Sequence, residues 1–245
     1  TDGRTQIGAA MQFHEDPRAA GGNPFYSSEF AAAEEVEAWS GSTYLANLVT
    51  FCQRSIDEWY LSTAAAQNHP TAPLVFFAEK HFPDLFPRLL RDLYPGAREI
   101  FLVRDFRDMV ASMLAYNAKK GSGDFGRDRV ESDEAWLEYL RQNFAVLHTT
   151  WQQRDEPDSL IRYEDLVRDP DPVLARLLHR LGLDASPGVV SALLATTQAP
   201  ELQGHGSSHS PAASIGRWRL DLSPEMQVNL NRVFSDLLEA FGYGQ

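Results

Sequence analysis

The sequence predicts an α/β fold, a helix-rich chain with a parallel sheet flanked by helices. Three observations carry this: apolar runs of strand length, amphipathic stretches between them, and charged residues where each run stops. The clearest run is Glu99-Ile100-Phe101-Leu102-Val103, which follows the turn Tyr94-Pro95-Gly96 and ends in Arg104-Asp105. An earlier run, Pro73 to Phe77, ends in Ala78-Glu79-Lys80-His81. Between them, Leu85 to Tyr94 carries Leu85, Phe86, Leu89, Leu90 and Leu93 as a short amphipathic crossover. Such crossovers join parallel strands in right-handed units, so both charged ends open on one edge.

After Asp105, a natural helix cap, Met109, Val110, Met113 and Leu114 recur at helical spacing and predict a helix from Phe106. Ligands of open α/β sheets sit outside the carboxyl ends of the strands, where backbone N–H groups and the positive helix end favour anions. Arg104 stands there and reads as a phosphate ligand. Ser112, eight positions on, adds a hydroxyl donor from the same helix. Arginine suits bidentate phosphate contacts, and Arg98, Arg104 and Arg107 form a local basic cluster.

Four segments together resemble the PAPS-dependent sulfotransferases, which transfer a sulfuryl group from 3′-phosphoadenosine-5′-phosphosulfate. They are the Lys80 region at the first strand end, Leu102-Val103-Arg104-Asp105-Phe106-Arg107-Asp108 continuing to Ser112, Tyr163-Glu164-Asp165-Leu166, and Ile215-Gly216-Arg217-Trp218-Arg219. The resemblance covers about Phe76 to Tyr243 and implies a single domain, 1–245, of P-loop-NTPase-like architecture. It implies PAPS as donor and PAP as product, with Arg104 and Ser112 on the 3′-phosphate and Tyr163 near the adenine. Ser210, Gly216 and Arg217 are implied members of a loop closing over the nucleotide, and Ser208 belongs with them. Lys80 is the implied catalytic cation, reaching the bridging oxygen of the leaving phosphate, where charge develops. His81 or Glu79 is the nearest group able to take the acceptor proton, and His81 is preferred.

The family's 5′-phosphosulfate loop has no good copy. Trp39-Ser40-Gly41-Ser42-Thr43-Tyr44-Leu45 has suitable residue types, but the Ala/Glu-rich stretch before it reads as helix, whereas a phosphate loop needs a buried strand feeding it. Ser42 or Thr43 is therefore read as the cap of a helix running to about Thr63. The expectation is that the amino-terminal strand and loop lie upstream of Thr1 or are degenerate.

Composition narrows the class. With 245 residues and 43% hydrophobic content the chain can bury one sizeable core, and a formal charge of −12 opposes a general nucleic-acid or anionic-membrane surface. Any polyanion must be held locally. A single cysteine, Cys52, within an apolar stretch reads as core packing in a reducing compartment, which with the absence of a bilayer-length apolar run predicts a cytoplasmic protein. Three lysines against many arginines suggest a GC-rich bacterial source. Glu134 to Gln153 predicts a long helix with Trp136, Leu137, Leu140, Phe144, Leu147 and Trp151 on its apolar face; Ser159 to Tyr163 predicts a further strand, with helices after Asp171 and Pro187. His205 and His209 lack the partner spacing of a metal site, and none is expected.

The reading is a sulfotransferase acting on a hydroxyl or amine of a small-molecule or glycan acceptor, without nucleic-acid or membrane partners. The alternative is a non-catalytic sulfotransferase-like module that binds a nucleotide or a partner. A P-loop kinase is disfavoured because no G-x-x-x-x-G-K-[ST] follows a strand, and a serine hydrolase because no G-x-S-x-G occurs. The acceptor-lining segments implied by the family are Gly21 to Phe30, the region of Trp59-Tyr60, and Tyr116 to Arg129.

Overall fold

A computed structural model describes residues 41–68, 89–121, 123–196 and 210–244. The predicted strand at Pro73–Phe77, Lys80, His81 and the amino-terminal stretch to Ser40 lie outside the described residues. The chain divides into two compact units, Thr1–Ala97 and Arg98–Gln245.

In the first unit, helix α1 (Tyr44–Ala66) begins after Gly41, whose φ of 90° is a left-handed conformation that favours glycine, and Thr43 occupies the N-cap position. Helix α2 (Leu89–Leu93) is the described part of the predicted crossover. Cys52 and Leu93 are buried together, with Leu48, Val49, Ile56 and Tyr94 packed around them. The cysteine is a core residue, as its apolar neighbours predict, and burial raises its thiol pKa. Tyr94 donates to Asp57 at 3.0 Å, and the Tyr94-Pro95-Gly96 turn closes with Ala97 N donating to the Tyr94 carbonyl at 2.8 Å.

The second unit holds a two-stranded parallel sheet and most of the helices. Strand β1 (Phe101–Val103) pairs with β2 (Leu160–Arg162), with Phe101 opposite Leu160 and Val103 opposite Arg162. Between the strands lie α3 (Phe106–Lys120) and α4 (Asp133–Arg154), and after β2 come α5 (Tyr163–Arg168), α6 (Pro170–Leu181), α7 (Pro187–Thr196), α8 (Trp218–Asp221), α9 (Pro224–Val233) and α10 (Ser235–Ala240). Helix starts follow local chemistry. Asp105 accepts from Arg107 N at the head of α3, Ser132 from Ala135 N at the head of α4, and Ser223 from Met226 N at the head of α9. α3 and α6 end on Gly121 and Gly182, both left-handed.

The core is aromatic. Phe106, fully buried, stacks on Phe144 with centroids 4.4 Å apart and meets Phe234 and Phe241 at 6.0 and 5.7 Å. Trp136, Leu137 and Leu140 extend this cluster along the predicted face of α4, and Leu147 and Trp151 pack at its margin. Arg154 and Glu99 form an ion pair at 2.6 Å with side chains 5% and 11% exposed, tying the end of α4 beside the entry to β1.

Phe106→Ala would remove a ring touching three others and lower unfolding stability by about 3–5 kcal/mol. Urea denaturation followed by circular dichroism measures this; a loss under 1 kcal/mol would mean that the ring cluster is not the centre of the core.

Candidate functional site

Arg104 leaves the carboxyl end of β1, one residue before the cap of α3. Its guanidinium donates to the Ser214 carbonyl and lies over the Tyr163 ring, 4.9 Å from the centroid. Its Nε is buried and finds no acceptor among the described residues. An unpaired buried donor on a cation is costly, and an anion beside it removes the cost.

Tyr163 opens α5 directly after β2, so the parallel pairing of the strands sets it next to Arg104. Its hydroxyl lies 3.2 Å from Ser214 Oγ and donates weakly to the Pro211 carbonyl at 3.4 Å. Arg104, Ser112 and Tyr163 line one cavity of about 380 Å³. Its remaining wall is apolar: Leu102, Val103, Met109, Met113, Tyr116 and Phe125. One cation and two hydroxyls in such a wall suit a single anionic group of a larger ligand.

The rim of this cavity is held firmly. Tyr116 and Phe125 meet edge to face at 5.5 Å, and Phe125 adopts φ 61°, a left-handed conformation that is strained for a bulky residue. Three contacts fix the turn: Asn117 Nδ2 donates to the Asp124 carbonyl at 3.1 Å, Lys120 pairs with Asp124 at 2.8 Å, and Trp136 Nε1 donates to the Phe125 carbonyl at 3.0 Å. Gly126 is left-handed too, and a Cβ there would stand 2.4 Å from the Tyr139 ring.

Behind Arg104 lies a buried polar network. Asp108, 1% exposed, accepts from Gly216 N at 2.6 Å and Trp218 N at 3.0 Å, which fastens the Ile215–Trp218 segment to α3. Burial pushes the Asp108 carboxyl above its ordinary pKa, opposed by those two N–H donors. Glu164, also buried, accepts from Asp105 N at 3.0 Å and from the Tyr243 hydroxyl at 2.5 Å. Arg107 pairs with Asp105 at 2.7 Å, donates to the Tyr243 carbonyl and to Asn231, and lies 4.4 Å from the centroid of Trp218. A second cavity of about 480 Å³ opens where this network meets solvent, with Arg162, Arg168 and Arg219 on its wall.

These positions divide the expected basic cluster. Of its three arginines, only Arg104 lines the smaller cavity. Arg107 is drawn into the interior by Asp105, and Arg98 donates to the Arg180 carbonyl. Ser210, Gly216 and Arg217 do not line it either. Ser210 Oγ accepts from Ala213 N, the Gly216 amide is engaged by Asp108, and Arg217 pairs with Asp221 at 2.5 Å. Ser214, which sequence reasoning did not single out, is the residue that touches both Arg104 and Tyr163. Ser208, His205 and His209 lie outside the described residues, and no group of three metal-ligating side chains occurs among the described ones.

A model of the sulfotransferase family matches residues 9–187, nearly three quarters of the sequence. The chain belongs to the sulfotransferase family. No curated protein matches it, and no solved structure does. The matched residues include Lys80, His81, Arg104, Ser112 and Tyr163, while the Ser210–Arg217 segment falls beyond them. Every residue lining the first cavity lies within the family match, whereas the second is lined partly from beyond it. No helix among the described residues is long and apolar enough to cross a membrane.

The raised Asp108 pKa has a signed consequence for stability. Folded Asp108 holds its proton more tightly than the unfolded chain does, so its contribution is fully present below the ordinary aspartate pKa and is lost as pH rises through the folded value. Wild type should therefore lose stability relative to Asp108→Asn as pH rises from about 4 towards 7. Urea midpoints across that range test this; a constant difference would contradict the shift.

Proposed function

We propose that this chain transfers a sulfuryl group from PAPS to a hydroxyl or amine acceptor, within a P-loop-NTPase-like architecture. The observation that carries the reading is the shared cavity of Arg104, Ser112 and Tyr163, with the Arg104 Nε buried and without an acceptor among the described residues. Those three residues fit the 3′-phosphate end of the nucleotide. Arg104 supplies charge-assisted donors and Ser112 a hydroxyl.

PAPS supplies the activated sulfuryl group. Lys80, at the expected end of the first strand, neutralises negative charge where the leaving phosphate acquires it. His81 accepts the proton of the acceptor hydroxyl or amine. Sulfuryl transfer is a positioning and electrostatic problem, and in this reading it needs no covalent intermediate. The acceptor is a small molecule or a glycan, and the reaction is cytoplasmic in this reading.

Calorimetric titration with 3′-phosphoadenosine-5′-phosphate, AMP and ATP tests the site. The bisphosphate should bind in preference to AMP, and Arg104→Ala should abolish most of that preference, a loss of about 1.5–3 kcal/mol. Ser112→Ala should cost about 0.5–1.5 kcal/mol. Equal weakening of both ligands by Arg104→Ala would remove the 3′-phosphate assignment. Lys80→Ala should weaken the bisphosphate and AMP alike, since both carry the 5′-phosphate, and so leave their preference intact while slowing transfer by about a hundredfold or more; unchanged turnover would show that another group stabilises the leaving phosphate.

A further inference from the structure

Glu164 has no free oxygen. One accepts from the Asp105 amide at 3.0 Å and the other from the Tyr243 hydroxyl at 2.5 Å, and the side chain sits in a residue only 3% exposed. A carboxylate so engaged is not available as a base for an acceptor. Its bond to Asp105 N instead fixes the peptide plane immediately after Arg104, at the point where β1 turns into α3.

Tyr243 completes the arrangement from the far end of the chain. Besides donating to Glu164, it offers its carbonyl to Arg107 at 3.1 Å, and the Arg162 guanidinium lies 4.2 Å from its ring centroid. Arg107 in turn grips Asp105 through both carboxylate oxygens. The peptide after Arg104 is thus held through its amide by Glu164 and through the Asp105 side chain by Arg107. Both holders are themselves bonded to Tyr243.

We propose that Glu164 is a positioning residue for Arg104, setting its direction into the 380 Å³ cavity, and that Tyr243 locks Glu164 in that role. The inference rests on the anion-binding reading of that cavity. A cation that must meet a phosphate in one geometry gains from a fixed peptide plane, because small displacements weaken a charge-assisted hydrogen bond steeply. Tyr243→Phe keeps the ring against Arg162 and deletes the hydroxyl, which donates to Glu164 and accepts from Arg162. Glu164→Gln keeps an acceptor for Asp105 N, with an amide that can donate to the Tyr243 oxygen.

The experiment compares wild type, Tyr243→Phe, Glu164→Gln and Glu164→Ala by two readouts. One is hydrogen exchange at the Asp105 amide without ligand; the other is the ratio of affinities for 3′-phosphoadenosine-5′-phosphate and AMP. Tyr243→Phe should speed Asp105 exchange and lower the ratio by about fivefold, with Glu164→Gln near wild type and Glu164→Ala lowest. A fall in melting temperature with an unchanged ratio in Tyr243→Phe overturns the positioning role, since general destabilisation does not distinguish the two nucleotides. Unchanged Asp105 exchange in that variant overturns it as well. A wild-type ratio of one removes the nucleotide reading itself, a result separate from either of these.

Discussion

Parallel register is the constraint on which the rest depends. With Val103 opposite Arg162, the residues that follow the two strands, Arg104 and Tyr163, emerge side by side at one edge. A slip of one residue would turn alternate side chains to the other face and separate the guanidinium from the ring. The pairing is only three residues long, so it needs support from elsewhere. Helices α3 and α4 give it through the stacked Phe106 and Phe144, and Arg154 with Glu99 holds the start of the first strand.

Charge is used in two ways within a few residues of sequence. Arg107 and Asp105 are nearly withdrawn from water, with side chains 6% and 10% exposed, and every partner they find belongs to the protein. A buried pair of this kind adds little net stability, but losing one member would strand the other. Arg104, three positions away, keeps a buried donor without an acceptor among the described residues. The first arginine shapes the interior, while the second lines the cavity.

Periodicity made the helices legible. The stripe Trp136, Leu137, Leu140 and Phe144 is buried as its spacing implies, and Asp105 caps α3 through the expected amide. The end of β1 before Arg104 was legible too, whereas β2 stops at Arg162 and the expected last strand residue, Tyr163, opens α5. Arg104 was legible as the arginine at the strand end, but the inward turn of Arg107 was not, because it depends on the backbone turn that brings its guanidinium to Asp105. Arg217 carried a usable signal, since Asp221 stands four residues on at helical pairing distance. Ser214 gave none. Its role comes from a carbonyl and a hydroxyl brought to Arg104 and Tyr163 by contacts about a hundred residues away along the chain.

Phe125 shows a compromise that bears on engineering. A left-handed backbone at a bulky residue is less favourable than at glycine or asparagine, and here the neighbouring turn forces it. A consensus-style search for thermostability would select a smaller residue at this site and gain from the relaxed backbone. The same exchange would remove the ring that closes on Tyr116 and widen the mouth of the cavity. Selection for heat resistance and selection for ligand fit therefore pull this one position in opposite directions.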